Sequence, residues 1–147
     1  MDVGALLERY SHLHTERPPL MWDAEVTEEH FLPLLEALIG AAQSPGTPSG
    51  TLTLAGANIV VPPESFDPEH EESCAPVGEY AGITVCGPGA WTKDWTWRPR
   101  QAAPEALAEA CRAALRDSGA CFAYGRALGA ESSVTVFLPR SEKSDRG

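Results

Sequence analysis

The sequence predicts an α+β fold, a single domain in which a mostly antiparallel β-sheet of about five or six strands is covered by about three helices. The chain has 147 residues, the usual size of one domain. Its apolar residues follow helical spacing twice, then alternate as in strands, then return to helical spacing once before a final strand pattern. This order, without an internal repeat or a regular alternation of strand and helix, favours an antiparallel sheet over a doubly wound parallel one.

Two helices are expected in the first third of the chain. The first spans residues 2–14, and Arg17, Pro18 and Pro19 end it because proline cannot continue the helical hydrogen bonds. The second follows Thr27, a favourable N-cap, and Pro33 should bend its first turn or mark its start. Its apolar face consists of Phe31, Leu34, Leu35, Leu38 and Ile39.

A strand pair is predicted between residues 51 and 61, after a polar connector at 43–50. Residues 56–58 have the composition of its turn, and two prolines end it at 62–63. Residues 62–78 then form a loop rich in carboxylates, and a loop of this length in a compact domain is usually functional or disordered. We expect Glu69, Glu71 and Glu72 of this loop to take part in binding a partner.

Residues 79–100 hold three of the four tryptophans. Ile83 and Val85 alternate with polar residues before the Gly-Pro-Gly run at 87–89, which predicts a hairpin whose second strand spans 91–97. In one extended strand the three indoles would share a face. Either this face packs under the helices, or it is an exposed hot spot that binds a partner. The candidate binding residues are Trp91, Lys93, Trp95, Trp97 and Arg98.

The last third of the chain predicts a third helix and a second hairpin. Pro104 suits the first turn of the helix and Gly119 its end, and strands follow at 121–128 and 133–138. The domain is therefore expected to comprise residues 1–138. The polar residues 139–147 are expected to form a flexible C-terminal tail.

The net charge of -10 is unevenly distributed along the chain. Residues 1–79 carry 14 acidic and 2 basic side chains, a sum of -12, whereas residues 80–147 carry 7 and 9, a sum of +2. This acidic potential disfavours nucleic acid and anionic membranes and favours encounter with a basic protein. The first thirty residues contain no apolar run of the length of a signal peptide core, and no window of the chain is long enough to span a membrane, so we expect a cytoplasmic protein.

The spacing of chemistry-bearing residues identifies no catalytic residue, metal or cofactor. The sequence has no Walker phosphate loop, no G-x-S-x-G, no H-E-x-x-H and no G-x-G-x-x-G after a strand. His70, Cys74 and Cys86 are too few and too widely spaced for structural zinc. A Cys86 nucleophile with His70 as its base is conceivable, but no spacing supplies its orienting group or oxyanion site.

Two classes of function remain. The uneven charge and the acidic loop favour a non-enzymatic module of inhibitor, immunity-protein or chaperone type that binds a basic protein. The alternative is a small enzyme or ligand-binding protein with a pocket between the strand at 91–97 and the region of His70 and Cys86. Oligomeric state does not follow from the sequence.

Overall fold

The computed structural model describes residues 1–43, 52–65, 67–88, 91–129 and 131–141 of the chain. In chain order the elements are α1 (Val3–Glu8), β1 (His14–Glu16), α2 (Glu28–Ala42), β2 (Thr53–Val61), β3 (Gly78–Pro88), β4 (Trp95–Trp97), α3 (Glu109–Asp117), β5 (Phe122–Leu128) and β6 (Glu131–Pro139). The six strands form one sheet in the order β1-β2-β3-β6-β5-β4. Every neighbouring pair is antiparallel except β1 and β2. The predicted α+β domain, with a mostly antiparallel sheet and three helices, is confirmed.

The helices and one face of the sheet enclose the main core. Period-2 alternation turns every second side chain of the central strands toward the helices. Each fully buried Leu, Ile or Phe stabilises the fold by roughly 1.5–3 kcal/mol. Side chains of this core that are at most 1% exposed include Leu6, Phe31, Leu34, Leu54, Ile83, Leu115 and Leu138.

Two predicted helices are shorter than their apolar spacing suggested. Helix α1 ends at Glu8, and turn hydrogen bonds from the Tyr10 and Leu13 amides follow it. These turns bring residues 14–16 alongside β2 as a short edge strand, while Leu13 remains buried in the core. Helix α3 begins at Glu109 rather than at Pro104, which instead accepts a turn hydrogen bond from the Leu107 amide.

The predicted strand pair at 51–61 is wrong, because β2 is one continuous strand across the expected turn. Residues 56–58 pair with β3 without interruption, Gly56 opposite Ile83 and Asn58 opposite Ala81. Asn58 does not turn the chain but ties a neighbouring segment to the sheet. Its side chain accepts from the Trp22 amide at 2.8 Å and donates to the Leu20 carbonyl at 2.7 Å.

The predicted hairpin between residues 83–86 and 91–97 is also wrong. Strands β3 and β4 do not pair, since β6 and β5 lie between them. The apolar residues of β6 pair with those of β3, Val134 with Val85 and Val136 with Ile83, which gives β3 a better partner than the short β4. Strand β4 is limited to residues 95–97 and forms the opposite edge of the sheet.

The sheet continues past residue 138, the predicted end of the domain. Pro139 is the last residue of β6, the Arg140 amide donates to the Glu79 carbonyl, and the Ser141 amide donates to the Asp23 carbonyl. The Arg140 guanidinium also lies 4.0 Å from the centre of the Trp22 ring. Residues 142–147 of the predicted tail lie outside the described part of the chain.

Candidate functional site

The candidate site lies on the face of the sheet opposite the helices. The cross-strand pairs place Tyr80, Phe122, Tyr124 and Phe137 on this face, whereas their chain neighbours Ala81, Ala123 and Leu138 enter the main core. The rings form a second hydrophobic cluster, with Phe137 5.5 Å from both Tyr80 and Phe122 between ring centres. An aromatic cluster that no helix covers needs another segment to bury it.

That segment is residues 67–76, which we call the strap. It contains the 3-10 helix Pro68–Ser73, which contacts β4, and its Ala75 packs against the aromatic cluster. The Tyr80 hydroxyl donates to the Pro76 carbonyl at 2.8 Å, and the Arg98 guanidinium donates to the Cys74 carbonyl. Arg98 also lies over the Phe122 ring, 5.8 Å from its centre. The acidic loop of the sequence is therefore held across the sheet by groups on β3 and just after β4.

The outer surface of the strap and the turn before it carries exposed carboxylates. Glu64, Asp67, Glu69 and His70 are exposed. Asp67 accepts a hydrogen bond from the Glu69 amide at 3.0 Å and lies 2.7 Å from His70 Nδ1. Glu64 and Glu69 form no ion pair within the described ranges, so their charge is available to a partner. The side chains of Glu71 and Glu72 lie outside what the structure describes.

An open groove of about 570 Å³ runs between the strap and the β4 edge of the sheet. Its walls are largely aromatic, and its lining includes Ala75, Thr96, Phe122, Tyr124 and Phe137. Phe122 and Phe137 are almost fully buried, so the groove has a preformed apolar floor. Concave aromatic surfaces of this size are typical of sites for small ligands or for the anchor side chains of a protein partner.

Two opposite charges line the same groove. The Arg126 guanidinium lies over the Tyr124 ring, 5.8 Å from its centre, and has no carboxylate partner among the residues described. Asp94 Oδ1 accepts a hydrogen bond from the Ala127 amide at 2.9 Å, which leaves the second carboxylate oxygen for another donor. These two side chains give the groove polar groups that can orient whatever enters it.

The three tryptophans do not form an exposed binding face. Trp91, Trp95 and Trp97 are 5%, 7% and 2% exposed and belong to the main core. Trp91 packs edge-on against Trp95 with ring centres 5.9 Å apart, and its Nε1 donates to the Arg126 carbonyl at 3.3 Å. Of the other predicted binding residues in this region, Lys93 is exposed and Arg98 is half-buried under the strap. The structure therefore supports the alternative in which the tryptophans pack under the helices.

Cys86 and His70 are not brought together. Cys86 pairs with Thr53 and Ser133, six residues along β3 from Tyr80 and thus about 20 Å from the strand end that the strap crosses. Burial, together with Glu131, raises the pKa of the Cys86 thiol above its ordinary value of 9.0. A protonated thiol far from the candidate base does not provide a nucleophile at neutral pH.

The described ranges contain no group of three or more His, Cys, Asp or Glu side chains placed to hold a metal ion. None of the helices described has both the length and the apolar character needed to cross a bilayer. Comparison of the chain with protein-family models, with curated proteins and with solved structures finds no match.

The residues that build the groove are not among those predicted from the sequence to form a site. Phe122 and Tyr124 show the period-2 alternation of a strand, and Phe137 alternates with Val136 and Leu138. That signal identifies a second apolar face of the sheet. It does not identify the groove, because the lining comes from β4, β5, β6 and the strap, which meet through long-range pairing.

Proposed function

We propose that this protein is a non-enzymatic binding module that engages a basic protein partner through the strap and the adjoining groove. The observation that carries the proposal is the fixed position of the acidic strap. Arg98 and Tyr80 both donate hydrogen bonds to strap carbonyls, while Glu69 of the strap and Glu64 in the turn before it carry exposed charge without ion partners among the described side chains. A preorganised charged surface loses less conformational entropy on binding than a mobile loop does.

The charge of the strap suits a basic partner and supports an inhibitor, immunity-protein or chaperone role. Opposite potentials increase association rates and select against wrong partners, and they do so most strongly at low salt. The groove beside the strap adds apolar surface that an anchor side chain of the partner can fill. A cytoplasmic location, without nucleic acid or membrane as partner, belongs to this proposal.

The experiment begins with capture of partners from the native host, followed by a high-salt wash that releases charge-dependent ones. Association of a released basic protein is then measured with wild type and with the Glu69→Lys, Glu71→Lys, Glu72→Lys variant. We expect the triple reversal to slow association about tenfold at low ionic strength, with the fold unchanged. An association rate equal to that of wild type would contradict the proposal.

A matched control carries the same change of charge on another surface. Glu25, Glu29 and Glu36 are exposed and form no ion pair in the described part of the chain. Their reversal to Lys should slow association much less than reversal in the strap. Equal slowing by both variants would mean that net charge, rather than the strap, directs the encounter.

The groove itself favours a second candidate, a small-ligand-binding protein. Its volume of about 570 Å³ and its aromatic floor, with Arg126 and Asp94 at the wall, fit a small molecule that has an apolar body and polar substituents. Screening small aromatic acids and amines against wild type and Tyr124→Ala by ligand-observed NMR tests this candidate. Binding that is lost in Tyr124→Ala supports it, and an absence of binders contradicts it.

A further inference from the structure

A second cavity lies near the β4 edge, between the segment that follows β4 and helix α3. It has a volume of about 540 Å³, and its lining comprises Trp97, Pro99, Arg100, Gln101, Ala102 and Arg116. It shares none of its lining residues with the groove beside the strap. The proposed protein-binding function does not use it.

Arg100 occupies a backbone position that arginine does not favour. The Gln101 amide donates to the Arg98 carbonyl at 3.1 Å, and the Gln101 side chain accepts from the Arg98 amide at 3.0 Å, so residues 98–101 form a tight turn. Pro99 and Arg100 are its central residues, and Arg100 has a φ of 75°. The second central position of such a turn normally holds glycine, and a larger residue costs on the order of 1–3 kcal/mol there. Side chains kept at strained positions are concentrated at functional sites.

Arg100 and Arg116 also lack an acidic partner, whereas four of the eight described arginines have one. Arg9, Arg17, Arg112 and Arg140 each pair with a glutamate, and Arg98 binds a backbone carbonyl. Arg100 and Arg116 form no ion pair or side-chain hydrogen bond within the described ranges, although the chain has 21 acidic residues. An anion bound in the cavity would be attracted to both of these exposed cations.

The remaining polar groups of the cavity are donors as well. The Trp97 Nε1 group donates to the Gln101 carbonyl at 3.3 Å, which occupies that acceptor. The Gln101 side-chain oxygen is occupied by the Arg98 amide, so its NH₂ group is the part that remains available. No carboxylate belongs to the lining. The cavity therefore offers two guanidinium forks and one amide donor to an acceptor-rich ligand.

We propose that this cavity binds the phosphate group of a small phosphate monoester. A phosphate dianion has three terminal oxygens and close to two negative charges, which match two guanidinium groups and an amide better than a single carboxylate does. The side chains of Pro99 and Ala102 give the cavity an apolar wall against which the organic part of the ester packs. Trp97 lines the cavity and is almost fully buried, so its fluorescence provides a local reporter.

The test is titration of the full chain with inorganic phosphate and with phenyl phosphate at constant ionic strength, by calorimetry and tryptophan fluorescence. We expect saturable binding that weakens about tenfold or more in both Arg100→Gly and Arg116→Gln, since each removes charge-assisted hydrogen bonds. Arg100→Gly is safe for the fold, because glycine is relaxed at that φ. Tighter binding of phenyl phosphate supports a monoester as the ligand, whereas equal affinity overturns that part and leaves a site for free phosphate.

Arg9→Gln is the matched control, because it removes the same positive charge from an exposed guanidinium that lines neither the cavity nor the groove. Its affinity for both probes should equal that of wild type. An absence of saturable binding, or an equal loss in the Arg9→Gln variant, would overturn the proposal. Neither result bears on the strap, whose test measures association with a basic protein.

Discussion

Arg98 donates a hydrogen bond to the backbone carbonyl of Cys74 and so ties the strap to the chain just after β4. The same guanidinium lies over Phe122, one of the buried rings that the strap covers. A single side chain therefore couples the acidic surface to the aromatic cluster beneath it. If the carboxylates direct binding, the rigidity of this tie should matter as much as their charge.

Removing the tie should loosen the strap without unfolding the sheet. Arg98→Met keeps most of the apolar stem but deletes the hydrogen bond, and we expect a loss of about 1–2 kcal/mol in the free energy of unfolding. Hydrogen exchange should increase across residues 67–76 more than in the central strands. Tyr80→Phe deletes the other tie, from the hydroxyl to the Pro76 carbonyl, and should have a similar but smaller effect. Unchanged exchange in both variants would show that the strap is held by other contacts.

Trp91 and Trp95 should respond differently to replacement by phenylalanine. Both are buried, but Trp91 Nε1 donates to the Arg126 carbonyl, whereas Trp95 Nε1 has no hydrogen-bond partner among the described residues. Trp91→Phe should therefore cost about 1 kcal/mol more than Trp95→Phe in urea unfolding. Since both variants lose the same atoms, the difference isolates the hydrogen bond. Equal costs would mean that packing alone determines the two values.

Gly125 is the position in β5 where a methyl group should be least tolerated. An added Cβ would lie 2.3 Å from Trp95 Nε1 and 2.4 Å from Cε2, against a rigid ring buried in the core. We expect Gly125→Ala to lower the free energy of unfolding by about 2–3 kcal/mol. At Gly82 the clash is with the flexible end of Ile59, also at 2.3 Å, so Gly82→Ala should cost less. Equal losses in the free energy of unfolding for Gly125→Ala and Gly82→Ala would contradict the claim that the rigid Trp95 ring makes Gly125 the less tolerant position.

The buried thiols predict a loss of stability in alkaline solution. Burial raises the pKa of Cys111 above its ordinary value of 9.0. A raised pKa in the folded protein means that the neutral thiol stabilises the fold fully below the pKa of the unfolded chain. This contribution is lost as the pH rises through the folded value. Urea midpoints should therefore fall above about pH 8.5, and Cys111→Ala should flatten the dependence. Identical slopes for the two proteins would contradict this assignment.

Local features of the fold could be predicted from the sequence, and long-range ones could not. Helix α2 was predicted because its apolar spacing and the Thr27 start lie within one segment. The order of the strands could not be predicted, since the pairing of β3 with β6 joins residues about fifty positions apart, such as Ile83 and Val136. The turn residues at 87–89 suggested a local hairpin, but strand pairing is decided by the apolar partner that becomes available later in the chain.

The candidate site shows the same division. The carboxylates of the strap could be read directly from residues 62–78, and Glu69 is exposed as the composition suggested. The burial of Trp95 and Trp97 could not be predicted from the sequence. Their spacing shows that the two side chains share a face of the strand, but not which face of the sheet the helices cover. Predicting the groove requires knowing both where the strap lies and which face of the sheet the helices leave uncovered, since the groove forms where the two meet.

The ladder between β2 and β3 is continuous from Thr53 opposite Cys86 to Val61 opposite Gly78, so the two strands stay in one register up to the ends that the strap connects. Among the described residues, the strap is held by hydrogen bonds to the carbonyls of Cys74 and Pro76, by packing of Ala75 and by contact of its 3-10 helix with β4. Carbonyl groups are supplied by every amino acid. Substitutions at the outward-facing positions of this segment should therefore leave both hydrogen bonds to the strap in place, because neither depends on which side chain the strap residue carries.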